Sequence, residues 1–345
     1  MRAVFIGEHG NLENLQVGDV ETPQVGPDEV LVETKYGALN HLDIFVVRGW
    51  PGLSLSMPHV IGADGSGIIR EIGSGVNTVT KGDRVTINPG LSCGKCDKCL
   101  SGQQVLCNNF SILGENTWGS FAEYVKVPEI NVIKIPDGYP FDKAAAAPLT
   151  FLTAWRMLTT LARLKYNEYI FIHGAGGGVS SAAIQIAKFF KAKVIATTST
   201  QEKMEKATKL GADYVINYKE NKDYTKFVYK ELTNKQGIDV VIDNVGQATF
   251  PTSIQLLKPG GRLITCGVTS GPFTKINITN IFWKHLEIKG STMANQGEFR
   301  EVMKLIFEGK LHPIIDRVFS LEKIKDAERY LSDGNQFGKV LLKIS

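Results

Sequence analysis

Cysteine is scarce: five residues in 345, and four of the five crowd between Cys93 and Cys107. Disulfides are not the expected use of so few, clustered cysteines in a cytosolic-looking chain of this size, and a local metal site is the first reading. Charge of one dominant sign is also missing, because 39 Lys and Arg against 35 Asp and Glu leave a formal net charge of +4 with no long basic run. Nucleic-acid binding needs a clustered positive face, so that class is excluded. No secretion signal is read at the start, where Met1-Arg2 leads into four apolar residues and then Glu8, and a cytoplasmic location is expected. Long apolar runs are nearly absent. Tyr169–Ala187 has no acid, Lys or Arg and has the length of a bilayer span. However, Gly174, Gly176, Gly177 and Gly178 interrupt it, and Ser180, Ser181 and Gln185 follow. It reads as a strand, a glycine turn and a helix, so no membrane partner is expected.

What is present in quantity is glycine, at 35 residues, in a chain long enough for two domains. Roughly the first 140 residues read as β-rich. Short apolar stretches such as Ala3–Ile6, Val30–Tyr36 and Arg84–Ile87 are separated by turn residues. Near Asp142 the texture changes. Asp142 reads as the cap of a helix running through Ala144–Ala147 toward Leu161, with Pro148 awkward in its interior. Strands then alternate with helices: strands at Tyr169–His173, Lys193–Thr198, Tyr214–Asn217, Asp239–Asp243 and Arg262–Cys266, helices at Val179–Phe190 and Glu202–Leu210. This rhythm predicts an α/β unit with a doubly wound parallel sheet. The last segment is mixed, with strands at Leu286–Lys289 and Val340–Ile344 and helices at Glu298–Phe307 and Leu321–Leu331.

Residues 168–190 read EYIFIHGAGGGVSSAAIQIAKFF, a strand entering a glycine turn and a helix leaving it. Dinucleotide sites use this order because the turn is tight, the backbone approaches a pyrophosphate and helix N–H groups meet the anion. Counted from Gly174, the third glycine of G-x-G-x-x-G is Val179; the register Gly174, Gly177, Ser180 keeps small residues at all three points. Gly176 and Gly178 complete the turn. The next strand, Lys193–Thr198, ends in Thr198-Ser199-Thr200 with no acid at its tip. A carboxylate there would repel the 2′-phosphate of NADP, whereas small hydroxyls admit it and Lys203 can pair with it. NADP(H) is therefore expected.

The strongest chemical signal is Cys93-x2-Cys96-x2-Cys99-x7-Cys107. Four thiolates in one short lobe, about 88–112, can close a tetrahedron around a structural Zn²⁺ with no open position for substrate. An iron–sulfur cluster is the competitor, although its usual run places the fourth Cys three residues on, before Pro, and here it stands at x7 before Asn108. Cys266, after a buried-looking strand, reads as core.

Together these features resemble the zinc-type, medium-chain alcohol dehydrogenase and quinone reductase superfamily. The resemblance spans the chain through Gly62-Ala63-Asp64-Gly65-Ser66-Gly67, Lys81-Gly82-Asp83-Arg84-Val85, the cysteine lobe, Gly119-Ser120-Phe121-Ala122-Glu123-Tyr124, the glycine turn and Gly338-Lys339-Val340. It implies a GroES-like catalytic domain, residues 1–148 and 290–345, with an inserted Rossmann domain, residues 149–289. It also implies an active site in the cleft between the two and a homodimer or homotetramer. Alcohol dehydrogenases of this type hold a second, catalytic zinc, and the positions of its ligands here read Asn40, Ala63 and Leu149. The pattern Asn40…Asp43-x-Phe45 resembles quinone reductases instead, with Phe45 in place of a Tyr. The resemblance implies catalytic roles for Asn40, Asp43, Phe45 and Asp64. It places Asn40, Asn244, Val245, Gly246, Gly267, Val268, Thr269, Ser270, Ser291, Thr292 and Met293 at the nicotinamide half of the cofactor. It sets Lys203 and Tyr218 at the 2′-phosphate and adds Lys339 to the cofactor residues. The spacing Tyr218-x3-Lys222 also matches the Tyr/Lys dyad of short-chain reductases, but its place after the third strand of this unit marks it as coincidence.

Without a metal to stabilise an alkoxide, hydride transfer suits an acceptor whose reduced form delocalises its charge. The expectation is an NADPH-dependent oxidoreductase acting on a quinone or an α,β-unsaturated carbonyl, enoyl thioesters included, with an amide such as Asn40 donating to the oxyanion. Two alternatives stay open. One is a zinc alcohol dehydrogenase with an irregular site around His41, His59 and Asp64. The other is a redox sensor that binds NADPH without turnover.

Overall fold

Val30 and Val32 are fully buried along Glu29–Ala38, the longest strand of the first unit and the one that organises it. The computed structural model describes residues 1–345, which divide into two units, Met1–Leu152 with Ala294–Ser345, and Thr153–Met293. In the first, the main sheet runs in the order Val132–Lys134, Arg84–Ile87, Asp64–Ile72, Glu29–Ala38, Lys339–Lys343, Ile315–Ser320, and Tyr124–Pro128 also pairs with Glu29–Ala38. All these pairs are antiparallel except the last two strands, which run parallel. A small sheet of Leu15–Asp19, Arg2–Ile6 and His59–Val60 accompanies it. Ile6, Val46, Phe121, Val340 and Leu342 meet in one core with no exposed surface; burying each such side chain contributes about 1.5–3 kcal/mol.

Register decides where the chemistry sits. Ala38 is opposite Asp64 on one side and Leu341 on the other. The Leu39 N–H then donates to the Val340 carbonyl at 2.8 Å. The chain leaving this strand at Asn40 is thereby held between Asp64 and Lys339.

The second unit is a six-stranded, wholly parallel sheet of Tyr169–Ile172, Lys193–Thr198, Tyr214–Asn217, Ile238–Asp243, Leu257–Thr265 and Glu287–Gly290. Numbered in chain order, these strands lie 3-2-1-4-5-6 across the sheet. That is the Rossmann order, whose switch point falls between the first and fourth strands. The expected α/β class, a GroES-like β-rich domain with an inserted Rossmann domain, is the observed one. The apolar run at 169–187 resolves into strand, turn and the helix Gly178–Phe189, and no helix is long and apolar enough to cross a membrane.

The helix expected from Asp142 toward Leu161 is corrected. Two helices, Phe141–Ala145 and Pro148–Arg156, are followed by a π turn at Met157–Leu161. Pro140, not Asp142, holds the cap position. Pro148 lacks the N–H that a helix interior requires, so it opens the second helix, where that donor has no partner anyway.

Candidate active site and metal centre

The cysteine lobe assembles as one donor set. The Sγ atoms of Cys93, Cys96, Cys99 and Cys107 all lie within 4.8 Å of one another. Cys99 is 3.6 Å from Cys96 and 3.9 Å from Cys93. A zinc tetrahedron with Zn–S of about 2.3 Å has sulfur–sulfur edges near ~3.8 Å, so these residues fit a single ion. An iron–sulfur cluster would spread the thiolates over separate irons. N–H groups of Lys95 and Cys96 donate to Cys93 and lower its pKa to about 6, which favours the thiolate that binds metal. The expected structural zinc stands, and these four residues would hold it.

In the second unit, Gly174 has φ of +63° and donates its N–H to the Thr197 hydroxyl at 3.2 Å. A left-handed residue of this kind costs glycine nothing. Gly177 caps the helix Gly178–Phe189 with no side-chain bond, which leaves the first N–H groups and the positive helix end for a pyrophosphate. Ser180 fills the third small position, buried, with its hydroxyl donating to the His173 carbonyl at 2.7 Å. Where the sequence reading sets the 2′-phosphate, Thr198 pairs with Asn217, and the Tyr218 N–H donates to the Thr198 carbonyl at 3.0 Å. Ser199 leads to Thr200, whose hydroxyl accepts from the Lys203 N–H at 3.3 Å and caps the next helix. Thr198, Ser199 and Tyr218 thus stand at the ends of two adjacent strands, with Lys203 in the first turn of the helix Gln201–Lys209. Asn244, Val245 and Gly246 leave the fourth strand, Gly267, Val268 and Thr269 the fifth, and Ser291, Thr292 and Met293 the sixth. All stand at carboxyl ends of strands, where doubly wound sheets bind their ligands. Cys266 is chemically quiet, because burial and the nearby charge of Asp243 push its thiol up to about 12.

The first unit holds a buried polar network. Lys339 Nζ donates to the Leu39 carbonyl at 2.7 Å, Asn40 Oδ1 at 2.6 Å and Asp64 Oδ2 at 3.0 Å. Asn40 Nδ2 donates to Asp64 Oδ2 at 3.0 Å and to the Ala38 carbonyl at 3.1 Å. Asp64 Oδ1 accepts from the Leu149 N–H at 2.8 Å. Asp43 sits in the first turn of the helix His41–Arg48 and accepts the Asn40 N–H at 2.7 Å. Asp64 and Lys339 are 0% and 5% exposed along their side chains.

This geometry changes two roles. Both amide hydrogens of Asn40 are committed, so its side chain has none for a substrate oxyanion. The Lys339 ammonium has three partners inside the network, so it is spent there and not on the cofactor. Asn40 is instead held on both sides within the buried network, and Phe45 is half-buried on the helix that follows it. The three positions that carry catalytic-zinc ligands in zinc alcohol dehydrogenases are filled by an amide bonded to an ammonium, the buried Ala63, and a backbone N–H turned to Asp64. These do not fit a second zinc. Nor do His41, His59 and Asp64 converge, since the cysteine lobe is the one group of three or more potential metal-binding side chains within reach of each other. Burial, followed by the charge of Lys339, pushes His41 down to about 4. His59 Nε2 lies 3.2 Å from the Gly114 carbonyl.

Two buried acids went unread in the sequence. Glu328, on the helix Ile324–Ser332, has no exposed surface and neither carboxyl oxygen has a hydrogen-bond partner. Burial and then Asp43 raise its pKa, against the pull of Lys339, so it belongs electrostatically to the same network. Asp243 ends the fourth strand of the Rossmann sheet with no exposed surface. Its signal was Asp243-x-x-Gly246-x-x-Thr249-x-x-x-Ser253, an acid followed by hydrogen-bond donors at turn and helix spacing.

Comparison with known proteins agrees with both units. The model described as alcohol dehydrogenase GroES-like domain matches residues 26–137, and that described as zinc-binding dehydrogenase matches residues 178–308. An NAD-dependent alcohol dehydrogenase of Sulfolobus acidocaldarius is 33% identical, covering 100% of each chain. An acryloyl-coenzyme A reductase of Sulfurisphaera tokodaii is 32% identical over 99% of this chain and 100% of its own. A solved structure of an NAD-dependent alcohol dehydrogenase is 43% identical with a TM-score of 0.96, covering 100% of both chains.

Proposed function

The chain belongs to the medium-chain dehydrogenase/reductase superfamily as an NAD(P)H-dependent oxidoreductase, and from that premise we propose that it passes hydride from NADPH to an α,β-unsaturated carbonyl compound or a quinone without a catalytic metal. The observation that carries this reading is the Lys339 ammonium held on Asn40 and Asp64, at a site whose three family ligand positions offer no zinc donor set. Bound NADPH supplies the hydride. The chain's own residues fix a buried positive charge, orient Asp64 through the Leu149 N–H, and hold the first turn of the helix His41–Arg48 through Asp43. Reduction of a simple ketone leaves a localised alkoxide that needs a Lewis acid or a general acid at the oxygen. Reduction at the β-carbon of a conjugated carbonyl leaves a delocalised oxyanion, which hydrogen bonds and a solvent proton can resolve.

Among acceptors, an enoyl thioester has the support of the relative named acryloyl-coenzyme A reductase. NADPH over NADH rests on the acid-free strand end at Thr198-Ser199 with Lys203 beside it. Self-association into two or four copies and a cytoplasmic location belong to the same reading through the family resemblance alone. A second reading, alcohol oxidation, is favoured by relatives named as alcohol dehydrogenases, the 43% identical one included.

The test is NADPH oxidation against enoyl-coenzyme A thioesters, enones, quinones and simple aldehydes. Turnover of conjugated acceptors with little of aldehydes is expected. Preference for aldehydes or alcohols would favour the second reading. NADPH binding with no turnover on any acceptor would leave a redox sensor.

A further inference from the structure

The Rossmann unit holds a buried polar network of its own. Its hub is Asp243. Oδ1 accepts the N–H groups of Val245 and Gly246, each at 3.0 Å. The Thr249 hydroxyl lies 2.8 Å from Oδ1 and 2.9 Å from Oδ2. Oδ2 also accepts the Ser253 hydroxyl at 2.7 Å. Ser253 Oγ in turn lies 2.9 Å from His173 Nε2. Because Ser253 gives its proton to a carboxyl oxygen, the His173 Nε2–H is the donor of that contact. Burial lowers the His173 pKa to about 4, consistent with a neutral ring holding one proton.

The same residues reach both cofactor turns. The His173 carbonyl accepts the Ser180 hydroxyl at 2.7 Å, and Ser180 Oγ accepts Asn244 Nδ2 at 3.1 Å. The turn after the fifth strand joins too. The Ser270 N–H and hydroxyl both donate to the Val245 carbonyl, at 2.9 and 2.7 Å. The Gln247 N–H donates to the Gly271 carbonyl at 3.0 Å. Gly246 has φ of +89°, and a Cβ there would stand 2.8 Å from the Gly271 oxygen, so the two turns interlock through backbone.

We propose that Asp243 is the positioning residue of the nicotinamide half of the cofactor: it fixes the Asn244–Gly246 turn and, through Ser253, His173 and Ser180, locks that turn in register with the pyrophosphate turn at Gly174–Ser180. The network rests on the dinucleotide reading of these turns and not on any one substrate. Asp243 touches no reacting atom. It acts by setting backbone groups before cofactor arrives, which lowers the ordering cost of binding. The adenosine end, built on Thr198, Lys203 and Tyr218, has no bond to this hub among those described above.

That separation supplies the test. Asp243→Asn keeps the size but sets an amide against the donors it must satisfy. Thr249→Val and Ser253→Ala each remove one donor and keep the acid. The purified full chain is titrated with NADPH, NADH and adenosine 2′-monophosphate, a probe with neither nicotinamide nor 5′-phosphate, and kcat and KM are measured with the best acceptor found for wild type. Asp243→Asn is expected to weaken NADPH at least about tenfold, the scale of a buried hydrogen bond to a charged group. It should lower kcat as well and leave adenosine 2′-monophosphate within about twofold. Thr249→Val and Ser253→Ala should show the same split to a smaller degree. Equal loss of NADPH and adenosine 2′-monophosphate, or no loss of either in the two milder variants, would overturn the assignment. If Asp243→Asn fails to fold, those two variants still decide it. The NADPH-to-NADH ratio of wild type reports the cofactor choice independently, so failure of that choice is told apart from failure of the hub.

Discussion

The cysteine lobe and the Asn40–Asp64–Lys339 network, which the resemblance sets at the two metal positions of zinc alcohol dehydrogenases, carry opposite chemistry. The lobe brings four soft sulfur donors together from fifteen consecutive residues, Cys93 to Cys107. The network joins residues 299 positions apart, and its cation is a side chain of the protein. Both balance buried negative charge with a positive centre, one imported and one covalently attached. An imported ion can be stripped and counted, whereas an attached ammonium can be changed only by mutation. The comparison is therefore open to experiment from either side.

The largest effect should come from the lobe. Cys107→Ser is expected to release its zinc and open the segment 88–112 to protease, since structural zinc contributes on the order of 10 kcal/mol of binding free energy in small zinc domains. Zinc analysis and limited proteolysis check this. Next is Lys339→Met. It leaves the buried Asp64 carboxylate unpaired and should cost about 3–5 kcal/mol, read as a lowered thermal midpoint of the first unit. The double variant Lys339→Met with Asp64→Asn should recover much of that loss, because the orphaned charge is gone. If the single variant melts like wild type, the ammonium is not what balances the network.

A smaller effect is expected at Lys203. Lys203→Ala should weaken NADPH by roughly tenfold, as for loss of one bond to a charged group, and leave NADH unchanged in the same titration. Equal losses would contradict the phosphate assignment. The last effect is the pH dependence of Asp43. Burial raises its folded pKa to about 7, above its ordinary value of 3.8. The folded chain therefore holds a proton that the unfolded chain releases, and the associated stability fades as pH rises through about 7. The lowered pKa of His41 works in the opposite sense at lower pH, so the informative quantity is a difference. Asp43→Asn should gain thermal stability relative to wild type between about pH 5 and 8.

The fold was legible where local pattern and tertiary context agree. Lys193–Thr198 and Tyr214–Asn217 were readable to the residue because β-branched runs end in turn residues and bury in a parallel sheet. Pro148 was read as an interior flaw because propensity alone cannot show that a chain breaks and restarts at it. The four cysteines were legible because their spacing is local. That Asn40 and Ala63 stand where zinc alcohol dehydrogenases carry ligands was read by resemblance. The use of the Asn40 amide was not, since it depends on Lys339 arriving through the pairing of Lys339–Lys343 with Glu29–Ala38. Glu328 and Asp243 were hidden for a related reason: burial of an acid is a tertiary fact, and each reads on its own as an ordinary helix or strand-end carboxylate.

Zinc counted per chain in the purified, catalytically active protein tests the central claim most directly, with NADPH oxidation by a conjugated acceptor followed on the same sample. The account predicts one zinc per chain, lost in Cys107→Ser, and a turnover rate that a chelator acting on folded wild type does not abolish. Two zinc ions per chain, the more weakly held one required for turnover, would contradict it.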